Sequence, residues 1–549
     1  MSAGKTLTPV EGIKARSDYL RGTIVASLAD GATGTLAEDD TQLSKFHGFY
    51  QQDDRDIRAE RARQKLEPAH SFMIRVRVPG GIATAEQWLE MDRLAREYGN
   101  PSIRLTTRQA FQFHGVIKHD LKPTIAAINA SLLDTIAACG DVNRNVMCTP
   151  LAERSAIHAA ACGVAAAISE HLTPNTSAYH EIWLDKERVA GGDVEPIYGA
   201  TYLPRKFKIG VAIPPSNDVD IFSQDLGFIA IQKDGKLAGF NVTVGGGMGM
   251  HHGEAETYPR VADVIGFCTP EQVTAVAEHV VRLQRDHGDR SNRKHARLKY
   301  TIDDRGLDWF RAELQQRLGF ELQAPAPYRF LSRGDEFGWT KDQLGKLHLT
   351  LFVPQGRVID NGEQKMLSAL AAIAKVHEGT FRLTANQNVI ISDVAANRKR
   401  SIERLLQSHG IAPTQTLSPL RQQALACVAL PTCALAMAEA ERYLPDLTTK
   451  IEALLEEHKL LDESISLRIT GCPNGCARPY LAEIGLVGKA PGQYSLFLGG
   501  DGLGIRLNQL THENVNEAEI LDILEQHFSA FAAGRAPGQA FGDFVAGAL

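Results

Sequence analysis

Residues 102–116 read SIRLTTRQAFQFHGV and residues 380–394 read TFRLTANQNVIISDV, so the frame RLTxxQ occurs twice. Each copy follows an alternating strand pattern that ends in a proline–glycine turn, in residues 71–81 (SFMIRVRVPGG) and in residues 347–356 (LHLTLFVPQG). Between strand and frame lies a helical pattern, EQWLEMDRLAREYG in the first half and KMLSALAAIAKVHEG in the second. The sequence therefore predicts an internal duplication.

A third pair of similar stretches extends the duplication towards the end of each half. Residues 229–249 (IAIQKDGKLAGFNVTVGGGMG) resemble residues 484–504 (IGLVGKAPGQYSLFLGGDGLG). We therefore expect an α+β protein with two similar halves, each a small unit followed by a larger one, and ligand sites where such units meet. Residues 1–65 have no counterpart in the second half. We expect this polar segment to wrap the surface or to support the partner half, with its charges on a solvated helix face.

Composition limits the class of protein. The 549 residues are 44% hydrophobic and 23% charged, which is typical of a globular chain with several domains. The net charge of −6 gives no general reason to expect nucleic acid or an acidic membrane as a partner. The longest small-apolar run, residues 159–168, is too short to span a bilayer and indicates a buried helix. Eight cysteines in this length do not suggest a disulfide scaffold, so we expect a reducing cytoplasm.

Four of the cysteines form two closely spaced pairs. Five residues separate Cys427 from Cys433 in ACVALPTC, and three separate Cys472 from Cys476 in TGCPNGC. Four thiolates in two pairs suit either a tetrahedral metal ion or a [4Fe–4S] cluster. The five-residue gap makes zinc the weaker interpretation, because zinc sites usually have gaps of about two to four residues. We expect a structural role for the other cysteines, Cys139, Cys148, Cys162 and Cys268.

The residues around the two pairs suggest how a cluster would be stabilised. We expect Thr432 to cap an alanine-rich helix that begins at Cys433 or Ala434, which would place a positive helix end beside an anionic cluster. Pro473 and Gly475 predict a tight loop, which lets backbone N–H groups approach the cluster sulfurs.

Basic residues form a second pattern in the first half. Arg75 and Arg77 are two apart on one predicted strand, and Lys206 and Lys208 repeat this spacing in LPRKFKIGV, so each pair shares a face of its strand. Like charges on one face are unfavourable unless an anion or solvent lies there. Solvent is the simpler explanation for any single pair.

The duplication argues against that simpler explanation. Alignment of the two Val-Pro turns puts uncharged Thr350 and Phe352 at the positions of Arg75 and Arg77, and LRITGCPNGC aligns with FKIGVAIPPS. On this alignment one half carries cations where the other half carries cysteines. The sequence thus predicts one composite site, with the metal from one half and anion binding from the other.

The cysteine pattern ACVALPTC…TGCPNGC resembles that of the sirohaem and [4Fe–4S] sulfite/nitrite reductase family, and the likeness covers nearly the whole chain. The other stretches that carry it are YLRGTI (19–24), FHGFYQQDDRDIRAERA (46–62), RLTTRQAFQFHG (104–115), VNRNVMCT (142–149), TYLPRKFK (201–208) and AEIGLVGKAPGQYSLFLGG (482–500). The resemblance implies a pseudo-twofold sulfite/nitrite reductase fold. Its parts would be a wrapping segment at 1–65, paired ferredoxin-like halves at 66–138 and 328–408, a first α/β domain for sirohaem and substrate at 139–327, and a second domain with the cysteines at 409–549.

The resemblance also implies roles for individual residues. The cluster ligands would be Cys427, Cys433, Cys472 and Cys476, and Cys476 would also bridge to the sirohaem iron. The catalytic residues around sulfite would be Arg75, Arg144, Lys206 and Lys208. The residues in contact with the macrocycle would be Arg104, Arg108, Gln112, His114 and Asn474. Sirohaem has many carboxylates, so a basic lining is chemically required. Gly140 departs from the pattern, because some relatives have asparagine there.

The implied reaction is the six-electron reduction of sulfite to sulfide in sulfate assimilation and cysteine biosynthesis, with Lys206 and Lys208 as proton donors. The glycine-rich stretch GGGMGMHHGE (245–254) lacks a clear amphipathic helix after it, so it does not predict a dinucleotide site. We therefore expect electrons from NADPH through a flavoprotein partner, an α component with FAD and FMN, in a hetero-oligomer. A ferredoxin donor, a nitrite reductase of the same fold and a non-catalytic four-cysteine metal protein are the alternatives.

Overall fold

The computed structural model describes residues 6–175, 182–184, 187–190, 195–413 and 416–549. In these ranges the strands are β1 (Phe49–Asp53), β2 (His70–Val76), β3 (Ile82–Thr84), β4 (Ser102–Leu105), β5 (Phe111–Val116), β6 (Met147–Cys148), β7 (Ile182–Leu184), β8 (Glu187–Ala190), β9 (Ile209–Ala212), β10 (Leu226–Lys233), β11 (Lys236–Val244), β12 (Asp263–Cys268), β13 (Gly338–Lys341), β14 (Leu347–Leu351), β15 (Arg357–Asn361), β16 (Gln364–Lys365), β17 (Thr380–Leu383), β18 (Val389–Val394), β19 (Leu425–Ala426), β20 (Leu467–Thr470), β21 (Ile484–Ala490), β22 (Gln493–Leu498) and β23 (Gln509–Val515). The α-helices are α1 (Pro9–Ala15), α2 (Ile24–Ala29), α3 (Glu38–Leu43), α4 (Arg58–Arg63), α5 (Ala85–Glu97), α6 (Leu121–Ala130), α7 (Ala156–His171), α8 (Val273–His287), α9 (Leu298–Arg305), α10 (Leu307–Leu318), α11 (Met366–Ala374), α12 (Lys399–Ser408), α13 (Pro419–Gln422), α14 (Leu444–Glu457), α15 (Glu517–Gly534) and α16 (Phe541–Ala546).

Two sheets, one from each half, exchange strands. The first has the order β1-β2-β5-β4-β15-β16, and the second has the order β13-β14-β18-β17-β3. Strand β15 of the second half pairs with β4 of the first, with Val358 opposite Ile103. Strand β3 of the first half pairs with β17 of the second, with Ala83 opposite Phe381. Each sheet is therefore completed by the other half, and both share one hydrophobic core.

The helical patterns between the repeated strands are confirmed as α5 and α11, which pack against each other. Helix α5 begins with a capping box between Thr84 and Gln87, which satisfies backbone donors at its first turn. Its buried face includes Trp88, which stacks on Phe381 of β17 with ring centroids 4.7 Å apart. The face of the first-half helix thus packs on a strand of the second half.

Two further five-stranded sheets follow the same plan as each other. Their orders are β12-β11-β10-β9-β6 and β19-β20-β21-β22-β23. In each sheet the three strands that come first in the chain run parallel, and the last two add antiparallel partners. This equivalence confirms the third repeat, and it places the residues after β9 and after β20 at the carboxyl ends of parallel strands, where ligands commonly bind.

The equivalence corrects one alignment made from the sequence. The Asp225 carboxylate accepts a hydrogen bond from the backbone N–H of Lys208 at 2.9 Å, and the Glu483 carboxylate accepts one from the backbone N–H of Ser466 at 2.8 Å. Lys208 therefore corresponds to Ser466, and the alignment with Arg468 was wrong by two residues. A two-residue shift keeps the same side chains on the same face, so the hydrophobic pattern does not reveal it.

The N-terminal segment contributes a strand, and the apolar run forms the predicted buried helix. Strand β1 of the N-terminal segment joins the edge of the first sheet, with Phe49 opposite Ile74. The run at 159–168 lies within α7, whose buried face includes Ala161 and Cys162. Among the described residues no helix has the length and apolar character that crossing a bilayer requires.

Candidate metal and anion site

Two neighbouring parallel strands bring the cysteine pairs together. Strands β19 and β20 run side by side with Ala426 opposite Ile469, and Cys427 follows the first of them. The backbone N–H of Cys427 donates to the Ile469 carbonyl at 3.2 Å, and the backbone N–H of Gly471 donates to the Cys427 sulfur at 3.3 Å. The first pair therefore begins beside Cys472, as the strand register requires.

The loop between Cys472 and Cys476 is tight, as the sequence predicts. Gly475 has a φ of 63°, and a Cβ at this position would lie 2.9 Å from the carbonyl oxygen of Met248. A side chain would be strained by both the conformation and the contact. The Asn474 amide donates to the Cys472 sulfur at 3.6 Å, which supports a negative charge on that sulfur.

The glycine-rich stretch packs directly against this cysteine loop. A Cβ on Gly249 would lie 3.2 Å from the Asn474 carbonyl oxygen, and the backbone N–H of Met250 donates to the Pro473 carbonyl at 3.0 Å. The Lys299 ammonium fixes the stretch from the other side by donating to the Gly249 carbonyl at 2.9 Å. The glycines thus bring two loops of different halves into backbone contact.

The predicted helix after Thr432 does not form. Residues 433–440 make turns and bends, and the next helix is α14. The backbone N–H groups of Met437 and Ala438 donate to the Gly471 carbonyl at 2.7 and 3.1 Å, so they are not available for helical bonds. Alanine-rich composition favours a helix only weakly, and here the tie to the cysteine loop overrides it. The Thr432 hydroxyl, the expected cap, is buried with no hydrogen-bond partner among the described residues.

Burial and the charge of a neighbouring thiolate raise the pKa of three of the four cysteines. Burial, followed by the charge of Cys476, raises the pKa of Cys472 to about 11. The same two causes raise the pKa of Cys433, and they raise that of Cys427 well above its usual value. Cys472 is buried, Cys427 and Cys433 are half-buried, and Cys476 is exposed. Three neighbouring thiols with disfavoured thiolate forms, beside a fourth cysteine, would be stabilised by a positive centre that all four share.

The spacing of the sulfur atoms favours a cluster over a single ion. A tetrahedral zinc site with Zn–S bonds of about 2.3 Å holds its sulfurs about 3.8 Å apart. All four cysteines belong to the described ranges, and no three of their sulfur atoms lie within 4.8 Å of one another. The donor set therefore fits a group larger than one metal ion, such as a [4Fe–4S] cube.

Two lysines without partners lie close to the exposed thiol. Neither the Lys206 nor the Lys208 ammonium has a hydrogen bond or ion pair with another described residue. Burial, followed by the charge of Arg205, lowers the pKa of Lys206 to about 7. Burial and then Lys206 lower the pKa of Lys208 well below its usual value. Cys476 is near enough for its charge to act on both groups, so the thiols and the lysines share one site.

Arg75 belongs to a buried polar network of the first sheet. Its guanidinium donates to the Gln112 carbonyl oxygen at 3.1 Å and contacts the Cys139 sulfur at 3.2 Å. The Gln112 amide nitrogen then donates to His114 Nε2 at 2.8 Å, which assigns the ring proton to Nδ1. Burial, with Arg357 next, holds the pKa of His114 well below its usual range. Arg77 has a different partner, the Thr173 hydroxyl, so the two arginines do not act together.

Arg104 contacts β19, the strand that leads directly into Cys427. It is buried, forms an ion pair with Glu441 and donates to the Ala426 carbonyl at 2.8 Å, one residue before Cys427. Arg108 donates to the Gln224 side chain at 2.8 Å and to backbone carbonyls. Burial, followed by Arg144, lowers the pKa of Arg108 to about 9.

Several buried donors of this region have no protein partner. Within the described ranges these atoms include His114 Nδ1, Arg108 Nε and Arg144 Nε. Unsatisfied buried donors cost free energy unless a ligand accepts from them. Together with the two lysines they fit an anionic ligand rich in carboxylates.

Gly140 has a structural reason to be glycine in this chain. Its φ is 86°, and a Cβ would lie 2.9 Å from two ring carbons of Phe46. Its carbonyl accepts a hydrogen bond from the Arg144 guanidinium at 3.2 Å, so its backbone orients a predicted substrate-binding residue.

Two basic residues of the site were missed in the sequence. Arg205 lies inside the run RKFK and acts on the charge of Lys206, so three cations within four residues were a usable signal. Arg55 was assigned to a solvated face, but it contacts the segment that carries Cys433. The neighbouring helix α4 has no buried residue, so the expectation of a solvated face is confirmed for α4 alone.

Comparisons with known proteins match separate parts of the chain to two family models. A model described as "Nitrite/Sulfite reductase ferredoxin-like half domain" matches residues 64–131 and 340–409. A model described as "Nitrite and sulphite reductase 4Fe-4S domain" matches residues 163–322. The four clustered cysteines lie outside the residues that these two models match.

Individual relatives are similar at high identity. The chain is 59% identical to the "Sulfite reductase [NADPH] hemoprotein beta-component" of Myxococcus xanthus, over 98% of this chain and 96% of that protein. It is 57% identical to the protein of the same name from Staphylococcus saprophyticus, over 98% and 95%. The solved structure of Mycobacterium tuberculosis NirA protein has the same fold, with a TM-score of 0.80, 24% identity and coverage of 98% and 96%. The chain therefore belongs to the nitrite and sulfite reductase family.

Proposed function

We propose that this chain is the haemoprotein component of an assimilatory NADPH-dependent sulfite reductase, which reduces sulfite to sulfide with six electrons. The relatives at 59% and 57% identity are named "Sulfite reductase [NADPH] hemoprotein beta-component". The observation that carries the proposal is the closeness of Cys476 to Lys206 and Lys208, because it joins a four-thiol metal site to an anion site.

The cofactors follow from the donor sets of the two parts. Cys427, Cys433, Cys472 and Cys476 would hold a [4Fe–4S] cluster, with Cys476 shared with a sirohaem. Arg104, Arg108, Gln112, His114 and Asn474 would contact the macrocycle. When bound, the sirohaem and the cluster would supply the iron for the sulfite sulfur and the path for electrons.

The protein's own residues would supply charge and protons. Sulfite loses three oxygens as water, and each oxygen leaves only when it is protonated. Lys206, with a pKa of about 7, can donate a proton and be reprotonated near neutral pH. Arg75 and Arg144 keep their charge and would orient the sulfite oxygens. Lys208 would hold the dianion beside Lys206.

The partner and the assembly belong to the same proposal. The glycine-rich stretch follows β11 and leads to β12 instead of a helix, and its Gly249 packs on the cysteine loop. Electrons would arrive from NADPH through a flavoprotein α component with FAD and FMN, in a cytoplasmic hetero-oligomer. The division at residues 1–65, 66–138, 139–327, 328–408 and 409–549 is likewise our proposal.

An absorption spectrum of the purified protein, with iron and acid-labile sulfide analysis, tests the function. Sirohaem gives strong visible bands, whereas a four-cysteine zinc protein is colourless and contains no labile sulfide. Oxidation of reduced methyl viologen should then depend on sulfite. A kcat/KM for nitrite above that for sulfite would favour the nitrite reductase alternative, and a colourless protein would contradict the proposal.

A further inference from the structure

Arg55 connects the N-terminal segment to the loop of the second cysteine ligand. Its guanidinium donates to the carbonyl of Cys433 at 3.1 Å and to the carbonyl of Ala436 at 2.6 Å. Its backbone N–H donates to the Pro431 carbonyl at 3.2 Å. One residue thus holds the segment at three points on both sides of a predicted cluster ligand.

These contacts supply the hydrogen-bond donors and the positive charge that a helix at Cys433 would have provided. Residues 433–440 are not helical. The Cys433 carbonyl accepts a single turn hydrogen bond from the Ala436 N–H at 3.1 Å, and among the described residues no backbone N–H donates to the Ala436 carbonyl. The expected positive helix end beside the thiols is absent because this segment is not helical. A guanidinium that donates to the Cys433 carbonyl brings a full positive charge to the same place.

A neighbouring ion pair reinforces the connection but carries no net charge. Arg442 pairs with Asp56 at 2.6 Å, which ties the adjacent residue of the N-terminal segment to the chain after Ala436. Both of these side chains are about half exposed, so the pair adds little stability. Arg55 therefore carries most of the connection.

We propose that Arg55 is a positioning residue for the iron–sulfur cluster, which fixes the Cys433 segment and makes the cluster easier to reduce. This inference rests on the proposed function, because it requires the cluster. A [4Fe–4S] cluster with four thiolates is anionic, and each electron adds negative charge. A nearby fixed cation therefore stabilises the reduced form more than the oxidised form.

The test compares Arg55→Gln with Arg55→Lys and with the matched control Arg58→Gln. Arg58 lies three residues further along, and its guanidinium pairs with Asp53 at 2.7 Å, with no described contact to the cysteine segment. Each glutamine variant removes one positive charge from the same segment. The readouts are iron and labile sulfide per chain, and the cluster midpoint potential from a redox titration followed by electron paramagnetic resonance.

We expect Arg55→Gln to lower the ratio of reduced to oxidised cluster at fixed potential about tenfold, a shift of about 59 mV to more negative potential for one electron. Arg55→Lys should stay closer to the wild type because it keeps the charge, and Arg58→Gln should match the wild type. Loss of iron in Arg55→Gln alone would also support the positioning role. Wild-type iron content and midpoint potential in Arg55→Gln would overturn the inference, whereas a wild-type protein without cluster would contradict the proposed function instead.

Discussion

Arg104 and Arg382 occupy the same position in the two RLTxxQ repeats and make the same contact across the molecule. Arg104, in the first half, donates to the Ala426 carbonyl of the second half at 2.8 Å. Arg382, in the second half, donates to the Pro150 carbonyl of the first half at 2.7 Å. Each also pairs with a glutamate of the domain it reaches. In each repeat this arginine thus contacts the half opposite to its own.

The two arginines allow a matched pair of variants. Arg382→Met leaves Glu153 without its arginine partner and should cost about 3–5 kcal/mol of unfolding free energy, the usual result of breaking a buried ion pair. Arg104→Met should cost less, because Arg357 still pairs with Glu441 at 2.7 Å. Arg104→Met should in addition reduce iron per chain, because Ala426 directly precedes Cys427. Denaturation and iron analysis of both proteins measure the two effects. Equal iron loss in the two variants would contradict the assignment of the metal to one half.

Lys206 should make the reaction sensitive to pH near neutrality. Its lowered pKa of about 7 means that the free enzyme carries the charge below this pH and loses it above. We therefore expect kcat/KM for sulfite to fall as the pH rises above about 7, since both anion binding and proton donation need the charged form. Lys206→Met should lower kcat by roughly a hundredfold or more.

The Lys206→Met variant also distinguishes the titration of the lysine from the titration of sulfite itself. Sulfite titrates identically with both enzymes, so only the part of the pH dependence that disappears in Lys206→Met belongs to the lysine. The visible spectrum should remain that of the wild type. An unchanged pH profile in Lys206→Met would exclude Lys206 as the proton donor, and loss of both cofactors would show a structural role.

Cys472 and Cys476 should not be equivalent. Cys472 is buried and receives a hydrogen bond from Asn474, whereas Cys476 is exposed and acts on the two lysines. Cys476→Ser should therefore disturb the haem bands as well as labile sulfide. Cys472→Ser should reduce labile sulfide with a smaller change in the haem bands. Indistinguishable spectra of the two variants would contradict a shared ligand at Cys476.

Replacing Trp88, which lies at the junction between the halves, should cause a large loss of stability. Trp88 is fully buried and stacks on Phe381 with ring planes 25° apart. Trp88→Ala should cost about 3–5 kcal/mol. Trp88→Phe should cost less, because it keeps most of the ring and removes an indole N–H that has no partner in the described part of the chain. Urea denaturation of the two variants measures the difference, and equal midpoints would show that the stacking contributes little.

Local sequence patterns predicted the strands, helices and cysteine pairs that depend on residues close together in the chain. Strand alternation and helical periodicity located β2, α5, β14 and α11, and cysteine spacing identified the four thiols that the structure brings together. The helix at Cys433 was wrong because its N–H groups bind Gly471, which lies far away in the sequence.

The missed features depend on contacts between distant residues. Arg55 reaches a carbonyl 378 residues further along the chain, so no local signal distinguishes it from the exposed charges beside it. The two-residue error between Lys208 and Arg468 arose because alternation is unchanged by an even shift. Strands β3 and β15 are short, and their pattern does not say which of two similar sheets they join.

The exchange of β3 and β15 also bears on how such a chain could arise. A half-length protein with the same sheet could complete its edge only by giving a strand to a second copy and receiving one in return, which produces a twofold dimer. Such a dimer has two identical sites. Fusion into one chain, with Val358 opposite Ile103 and Ala83 opposite Phe381, preserves the exchange while freeing each copy to change separately. One copy could then keep the cysteines while the other kept the lysines.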